Sequence, residues 1–246
     1  MAATPLRRVL AVTVALPLAA AAVIGVEILL ARRGPDVPGP PGDVSGCLGC
    51  TAGQGDEPRL RMVWLGDSTA AGVGAAEAGQ TLARQVATGL GRPVQLDVLA
   101  RSGARVADVV QDQLPAAAAL NPDVVLVSVG ANDVTHLTSV ASYARSWDRL
   151  RVPAPARLVA LGIPDMGSPP RLAQPLRALA GWRGRRLDRA GARRVSRDAP
   201  ATYVDIAGAT GPAFRRDPER YFADDRYHPS AEGYRLWAEA VLEELR

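Results

Sequence analysis

The chain has 246 residues, 48 % hydrophobic and 22 % charged, enough for one good-sized core and too apolar for wholesale disorder. Its formal net charge is +4 and every basic side chain is arginine, so no lysine is present to form a Schiff base or to hold a phosphate as a point charge. Aromatics make up only 4 %, and without zinc-ligand spacing or an aromatic platform the mild basicity does not point to nucleic acid.

Arg7 and Arg8 precede an apolar run from Val9 to Ala31, interrupted by Pro17, Gly25 and Glu27. As a helix rising about 1.5 Å per residue, such a run reaches across the roughly 30 Å hydrocarbon core of a bilayer. Two readings fit: an uncleaved signal anchor, or a signal peptide cut near Ala20–Ala22, which would leave the chain secreted. Apolar residues continue past that point through Val23, Ile24, Val26, Ile28, Leu29 and Leu30, which favours the anchor. Residues 1–31 are therefore expected to form a transmembrane segment. Arg32 and Arg33 balance Arg7 and Arg8, and the short N-terminal flank favours a cytoplasmic N-terminus with the rest exported. Residues 32–58 have the Gly/Pro-rich composition of a semi-stiff linker and are not expected to pack. They carry the only two cysteines, Cys47 and Cys50, which suit a local disulfide better than a zinc site or a redox dithiol at a helix start.

From Arg59 strand-like and helix-like patterns alternate. Short apolar runs at Met62–Leu65, Val94–Leu99, Asp123–Val129, Leu158–Leu161 and Thr202–Ile206 predict five strands. Between them, Leu82/Val86/Leu90, Val106/Val109/Val110/Leu114 and Val140/Tyr143/Ala144/Trp147/Leu150 recur at helical spacing. An Arg-rich helical stretch spans about Arg171–Arg197, and a last helix carries Tyr234, Trp237, Ala238, Val241, Leu242 and Leu245. This alternation predicts a three-layer α/β/α sandwich with a five-stranded parallel sheet over residues 59–246. Chemistry in such a sheet belongs at the carboxyl ends of its strands.

Polar, turn-forming clusters are expected at those ends. Gly66-Asp67-Ser68-Thr69 follows the first strand, Ser102-Gly103-Ala104 the second, and Gly130-Ala131-Asn132-Asp133 the third. Asp225-Arg226-Tyr227-His228 is read as following the fifth strand and opening the last helix, with Pro229 in that helix's first turn. In these four ordered blocks the chain resembles the SGNH (GDSL-type) hydrolases, whose pattern is Gly-Asp-Ser, a lone Gly, Gly-x-Asn-Asp and Asp-x-x-His. The resemblance covers essentially all of residues 59–246 and implies the flavodoxin-like fold of that family.

It also implies roles. Ser68 would be the nucleophile, His228 its base, and Asp225 the acceptor that fixes the imidazole tautomer. The backbone N–H groups of Ser68 and Gly103 and the side chain of Asn132 would form an oxyanion hole. No cofactor and no metal are implied. Asp67 and Asp133 read as loop-structuring residues, Asp224 as a weaker candidate than Asp225, and His136 as a rival base without a carboxylate at the right spacing.

Two phosphate-loop look-alikes fail. Gly74–Thr81 has Gln80 where a P-loop needs lysine, and Gly72-Val73-Gly74 continues to Glu77 in place of the third glycine. The arginines between Arg177 and Arg197 read as a solvated amphipathic face, with anionic lipid headgroups or a wall polymer as the sharper alternative. The expected activity is hydrolysis of a short-chain acyl ester or lipid-like substrate through an acyl-serine. Acyl transfer or deacetylation on cell-envelope sugars or lipids, and a non-catalytic scaffold, are the competing readings. Oligomeric state is not legible.

Overall fold

Strands covered on both faces must send successive side chains into two different apolar layers. In the computed structural model, which describes residues 22–31, 33–35, 39–42, 44–50, 59–197 and 201–245, they do so. Strand β2 (Leu60–Gly66) places Met62 and Trp64 in one buried cluster and Val63 and Leu65 in the other. Strand β4 (Val124–Ser128) divides Val124 and Leu126 from Val125 and Val127 in the same way. With β3 (Val94–Val98), β5 (Arg157–Leu161) and β6 (Ala201–Val204), these form the expected parallel sheet.

The sheet has six strands, not five, in the order β1-β3-β2-β4-β5-β6. The extra one, β1 (Gly46–Leu48), runs antiparallel to β3 and comes from the segment read as a non-packing linker. That reading fails for residues 44–48. Val44 is buried, Ser45 Oγ accepts from the Val98 N–H at 3.0 Å, and Cys47 and Cys50 are disulfide-bonded as expected.

Helices α3 (Leu82–Gly89), α9 (Ile206–Arg216) and α11 (Ala231–Leu245) cover one face of the sheet. The other face is covered by α7 (Val140–Arg149), α8 (Leu176–Val195) and the run from α4 (Val106–Asp108) through a π turn (Val109–Gln113) into α5 (Leu114–Ala119). The predicted α/β/α layering is present.

Two expectations about the C-terminal part are corrected. Helices α9 and α10 (Pro218–Tyr221) intervene between β6 and Asp225, so the Asp-x-x-His block does not directly follow a strand. Pro229 does not open α11 but bridges to Phe222, and Ser230 caps the helix by accepting from the Gly233 N–H at 3.2 Å. Several arginines of α8 serve the fold. Arg183 donates to the carbonyls of Val134 and Thr138, Arg177 to Leu172, Arg194 pairs with Asp148, and Arg186 lies over the Trp182 ring.

Residues 1–21 of the expected transmembrane segment lie outside the described residues. Among the described residues no helix is long and apolar enough to cross a membrane. Residues 22–31 form helix α1 and expose Val23, Val26, Leu29 and Leu30. Glu27, which interrupts the apolar run, is buried, and its carboxylate accepts the Leu176 N–H at the start of α8 at 2.9 Å.

Candidate active site

Strand β2 ends at Gly66, where the chain must turn sharply. A Cβ there would stand 1.9 Å from the Ser128 carbonyl oxygen, and its φ of +145° is one that side chains other than glycine's rarely adopt. Asp67 then caps helix α2 (Ser68–Ala71), accepting the Thr69 N–H at 3.0 Å and the Thr69 hydroxyl at 2.9 Å. Ser68 is thereby the first residue of the helix, directly beyond the strand end. The helix has only four residues, too few for its dipole to favour an anion strongly.

His228 arrives from the other end of the chain on a turn held by the Ala223 N–H to the His228 carbonyl and the Arg226 N–H to the Ala223 carbonyl, each 2.8 Å. Gly74 lets the two chain segments close up: a Cβ there would lie 2.3 Å from the Pro229 carbonyl and 3.2 Å from the His228 Cβ. The His228 Nε2 is 2.9 Å from Ser68 Oγ, and its Nδ1 is 2.6 Å from Asp225 Oδ2. The second oxygen of Asp225 accepts the Tyr227 and His228 amides at 2.9 Å each.

Burial alone pushes the Asp225 carboxyl up. The bonds from the His228 ring and the two amides outweigh that effect and hold it below the usual carboxylate range. Asp224 is exposed and takes no part. His136 is exposed as well, its Nδ1 2.9 Å from the Asn132 carbonyl, and it does not line the cavity.

Gly103 lies in the turn after β3 with φ +84°, and Asn132 in α6 (Ala131–Thr135) after β4. Both border the same cavity as Ser68 and His228. The Asn132 amide donates one N–H to the Ala104 carbonyl at 3.1 Å, which orients it and leaves its second N–H available. The amides of Ser68 and Gly103 make no hydrogen bond to a protein acceptor among the described residues.

Asp133 turns away and accepts the Val106 N–H at 3.1 Å, fixing α6 to α4, the loop-structuring part read from sequence. Burial pushes its carboxyl up. Burial also pushes the Asp67 carboxyl up to about 6, against the stabilising bonds from Thr69.

The cavity measures about 400 Å³. The loop after β5 contributes Pro164, Met166 and Pro169, consistent with the pocket loop read at Gly162–Pro170, and Phe214, Phe222 and Trp237 add aromatic walls. Sequence reasoning did not anticipate those three. The chain has two phenylalanines and both are here, a compositional signal that was available. It also missed Gln113, whose side chain accepts the Gly66 N–H at 2.8 Å and donates to the Gly66 carbonyl at 2.9 Å, holding the strand end that carries Ser68.

The hydrogen-bonded chain Asp225–His228–Ser68, on a cavity that Gly103 and Asn132 also border, is an arrangement able to perform acyl transfer through a serine. The model of the GDSL-like Lipase/Acylhydrolase family matches residues 64–236. The chain belongs to that family. A GDSL-like esterase of Mycobacterium tuberculosis is 37 % identical over 197 residues, covering 76 % of this chain and 62 % of the relative. The chain thus spans less than two thirds of that relative's length. Among solved structures, the lipase/acylhydrolase of Enterococcus faecalis superposes with a TM-score of 0.61 at 18 % identity, covering 76 % of this chain and 95 % of the other. Phospholipase A1 of Streptomyces albidoflavus NA297 superposes with a TM-score of 0.54 at 22 % identity, covering 76 % and 99 %. At these identities the two structures establish a shared fold.

Proposed function

We propose that the protein is a serine ester hydrolase acting through an acyl-serine intermediate, and that its N-terminal segment anchors it in a membrane with the catalytic domain on the extracytoplasmic side. The observation that carries the chemical reading is the continuous relay from Asp225 through His228 to Ser68 across 160 residues of sequence. His228 Nε2 takes the Ser68 proton as Oγ adds to the ester carbonyl, forming the C–O bond of a tetrahedral intermediate. Its oxyanion receives the Ser68 and Gly103 N–H groups and the free N–H of Asn132. Asp225 holds the tautomer and stabilises the imidazolium. Collapse expels the alkoxide, which takes the proton from His228, and leaves the acyl group on Ser68. Water, deprotonated by His228, then reverses the sequence and releases the acid.

Met166, Phe214, Phe222 and Trp237 give the cavity an apolar lining, which suits a short acyl chain or a lipid-like ester. The reading is tested by hydrolysis of a nitrophenyl-ester panel from acetyl to octanoyl by the full chain and its Ser68→Ala variant. Loss of at least about a thousandfold in kcat/KM is expected in the variant. A wild-type protein no faster than the variant on every ester would overturn it.

A further inference from the structure

The Gly/Pro-rich stretch before the domain does more than connect. Gly39 and Pro40 border the cavity that holds Ser68 and His228, and Pro41 reaches toward Gly72, at the end of α2. Arg171 ties this stretch to the catalytic turn. Its Nε donates to the Ala31 carbonyl at 2.6 Å and its Nη1 to the Pro35 carbonyl at 2.8 Å and the Asp225 carbonyl at 3.3 Å. Its own backbone N–H donates to the Arg226 carbonyl at 3.1 Å. Gly34 lies flat on the guanidinium, since a Cβ there would be 2.7 Å from the Arg171 Cζ.

The stretch is fastened on both sides of the cavity. Before it, Glu27 caps α8. After it, Arg84 donates to the Val44 and Ser45 carbonyls at 2.9 and 3.2 Å, and β1 joins the sheet. Bonds from a guanidinium are stronger than neutral ones, and a proline-rich chain loses little entropy on being held.

We propose that Gly39 and Pro40, on a segment held before them by the Arg171 bonds to Ala31 and Pro35 and after them by the Arg84 bonds to Val44 and Ser45, form a strap that is one wall of the substrate site and sets which acyl chains it accepts, with Arg171 a positioning residue. The proposal rests on the ester-hydrolase reading. A rigid prolyl wall offers apolar surface to an acyl chain long enough to reach it and none to an acetyl group. Discrimination by chain length therefore depends on the strap staying down.

The test uses the full chain with Arg171→Ala, Arg171→Lys and Pro40→Ala. Chain-length profiles on nitrophenyl esters are combined with amide hydrogen exchange of the peptides covering residues 27–35, 44–50 and 223–230. Arg171→Ala and Pro40→Ala should each lower the octanoyl-to-acetyl ratio of kcat/KM by roughly fivefold, carried by KM. Arg171→Lys should recover part of the ratio. Exchange at residues 33–34 and 225–228 should accelerate together in Arg171→Ala and stay unchanged in Ser68→Ala. An unchanged chain-length profile in both alanine variants would overturn the proposal, as would wild-type exchange at residues 33–34 as fast as in an unstructured peptide. If the wild type is inert on all esters while residues 33–34 are protected from exchange, the hydrolase reading fails and the chain-length role falls with it. If esters are cleaved and residues 33–34 are unprotected, only the strap is refuted.

Discussion

At the scale of single residues, the carboxylates around the serine are tuned in opposite directions. Asp225, fed by three N–H donors, is held low, so it contributes stability at neutral pH that is lost as acid protonates it. Asp67 is almost fully enclosed, with two bonds on one of its oxygens, and burial lifts it to about 6 from an ordinary value near 3.8. Between those values the folded state holds a proton that the unfolded state has released, so this residue's contribution to stability falls as pH rises from about 4 to 6. Replacing it by Asn keeps an oxygen acceptor and removes the charge. Denaturant unfolding of wild type and Asp67→Asn at pH 4 and 7 should show the variant gaining on wild type by up to roughly 3 kcal/mol at the higher pH. An equal difference at both values would refute the assignment. Asn132→Ala should lower kcat by about a hundredfold with little change in KM, because the lost donor faces charge that exists only in the transition state. Steady-state kinetics on an acetyl ester checks it.

Among the secondary-structure elements, the most consequential is the π turn between α4 and α5. It carries Gln113, whose side chain accepts the Gly66 N–H and shares the Gly66 carbonyl with the Arg101 N–H, which donates to it at 3.1 Å from the chain just beyond β3. Truncating it leaves the buried Gly66 N–H unsatisfied, so Gln113→Ala should cost about 1–3 kcal/mol of stability. It should also reduce kcat, since Ser68 stands on that strand end. Thermal unfolding and kinetics in parallel would detect both, and a loss of stability without loss of kcat would remove the positioning role.

The elements also show what a sequence can and cannot reveal. Strands β2, β4 and β5 are legible because burial on both faces demands continuous apolar runs. Helix α9 is not, because Gly208, Gly211 and Pro212 give it a composition poor in helical signal. It exists because Asp205 caps it and its Phe214 and Ile206 are buried. Strand β1 is hidden because three residues, one of them glycine, carry no periodicity. The four motif blocks singled out Ser68, Gly103, Asn132, Asp225 and His228, which the fold brings together, since turns that expose reactive groups need particular residues. The cavity walls were not identified, because apolar lining residues look like core.

For the whole molecule, the proposed active site lies at the carboxyl edge of the sheet, and the chain before it is held by Glu27, Arg171 and Arg84. With residues 22–31 held on the domain through Glu27 and Ala31, a bilayer anchor falls to the residues before position 22 and would hold the cavity at the membrane surface, where lipid-like esters are concentrated. The full chain should then pellet with membranes and resist a high-salt wash. Recovery in the supernatant after washing would disprove the anchor.

The antiparallel β1 has a consequence for solubility. Without it, β3 would present a row of open N–H and C=O groups to solvent, a template on which a second molecule could add its own strand. β1 covers that row and leaves an edge of its own only three residues long, with the Cys47–Cys50 ring closing over its end, so little template remains on that side for intermolecular growth.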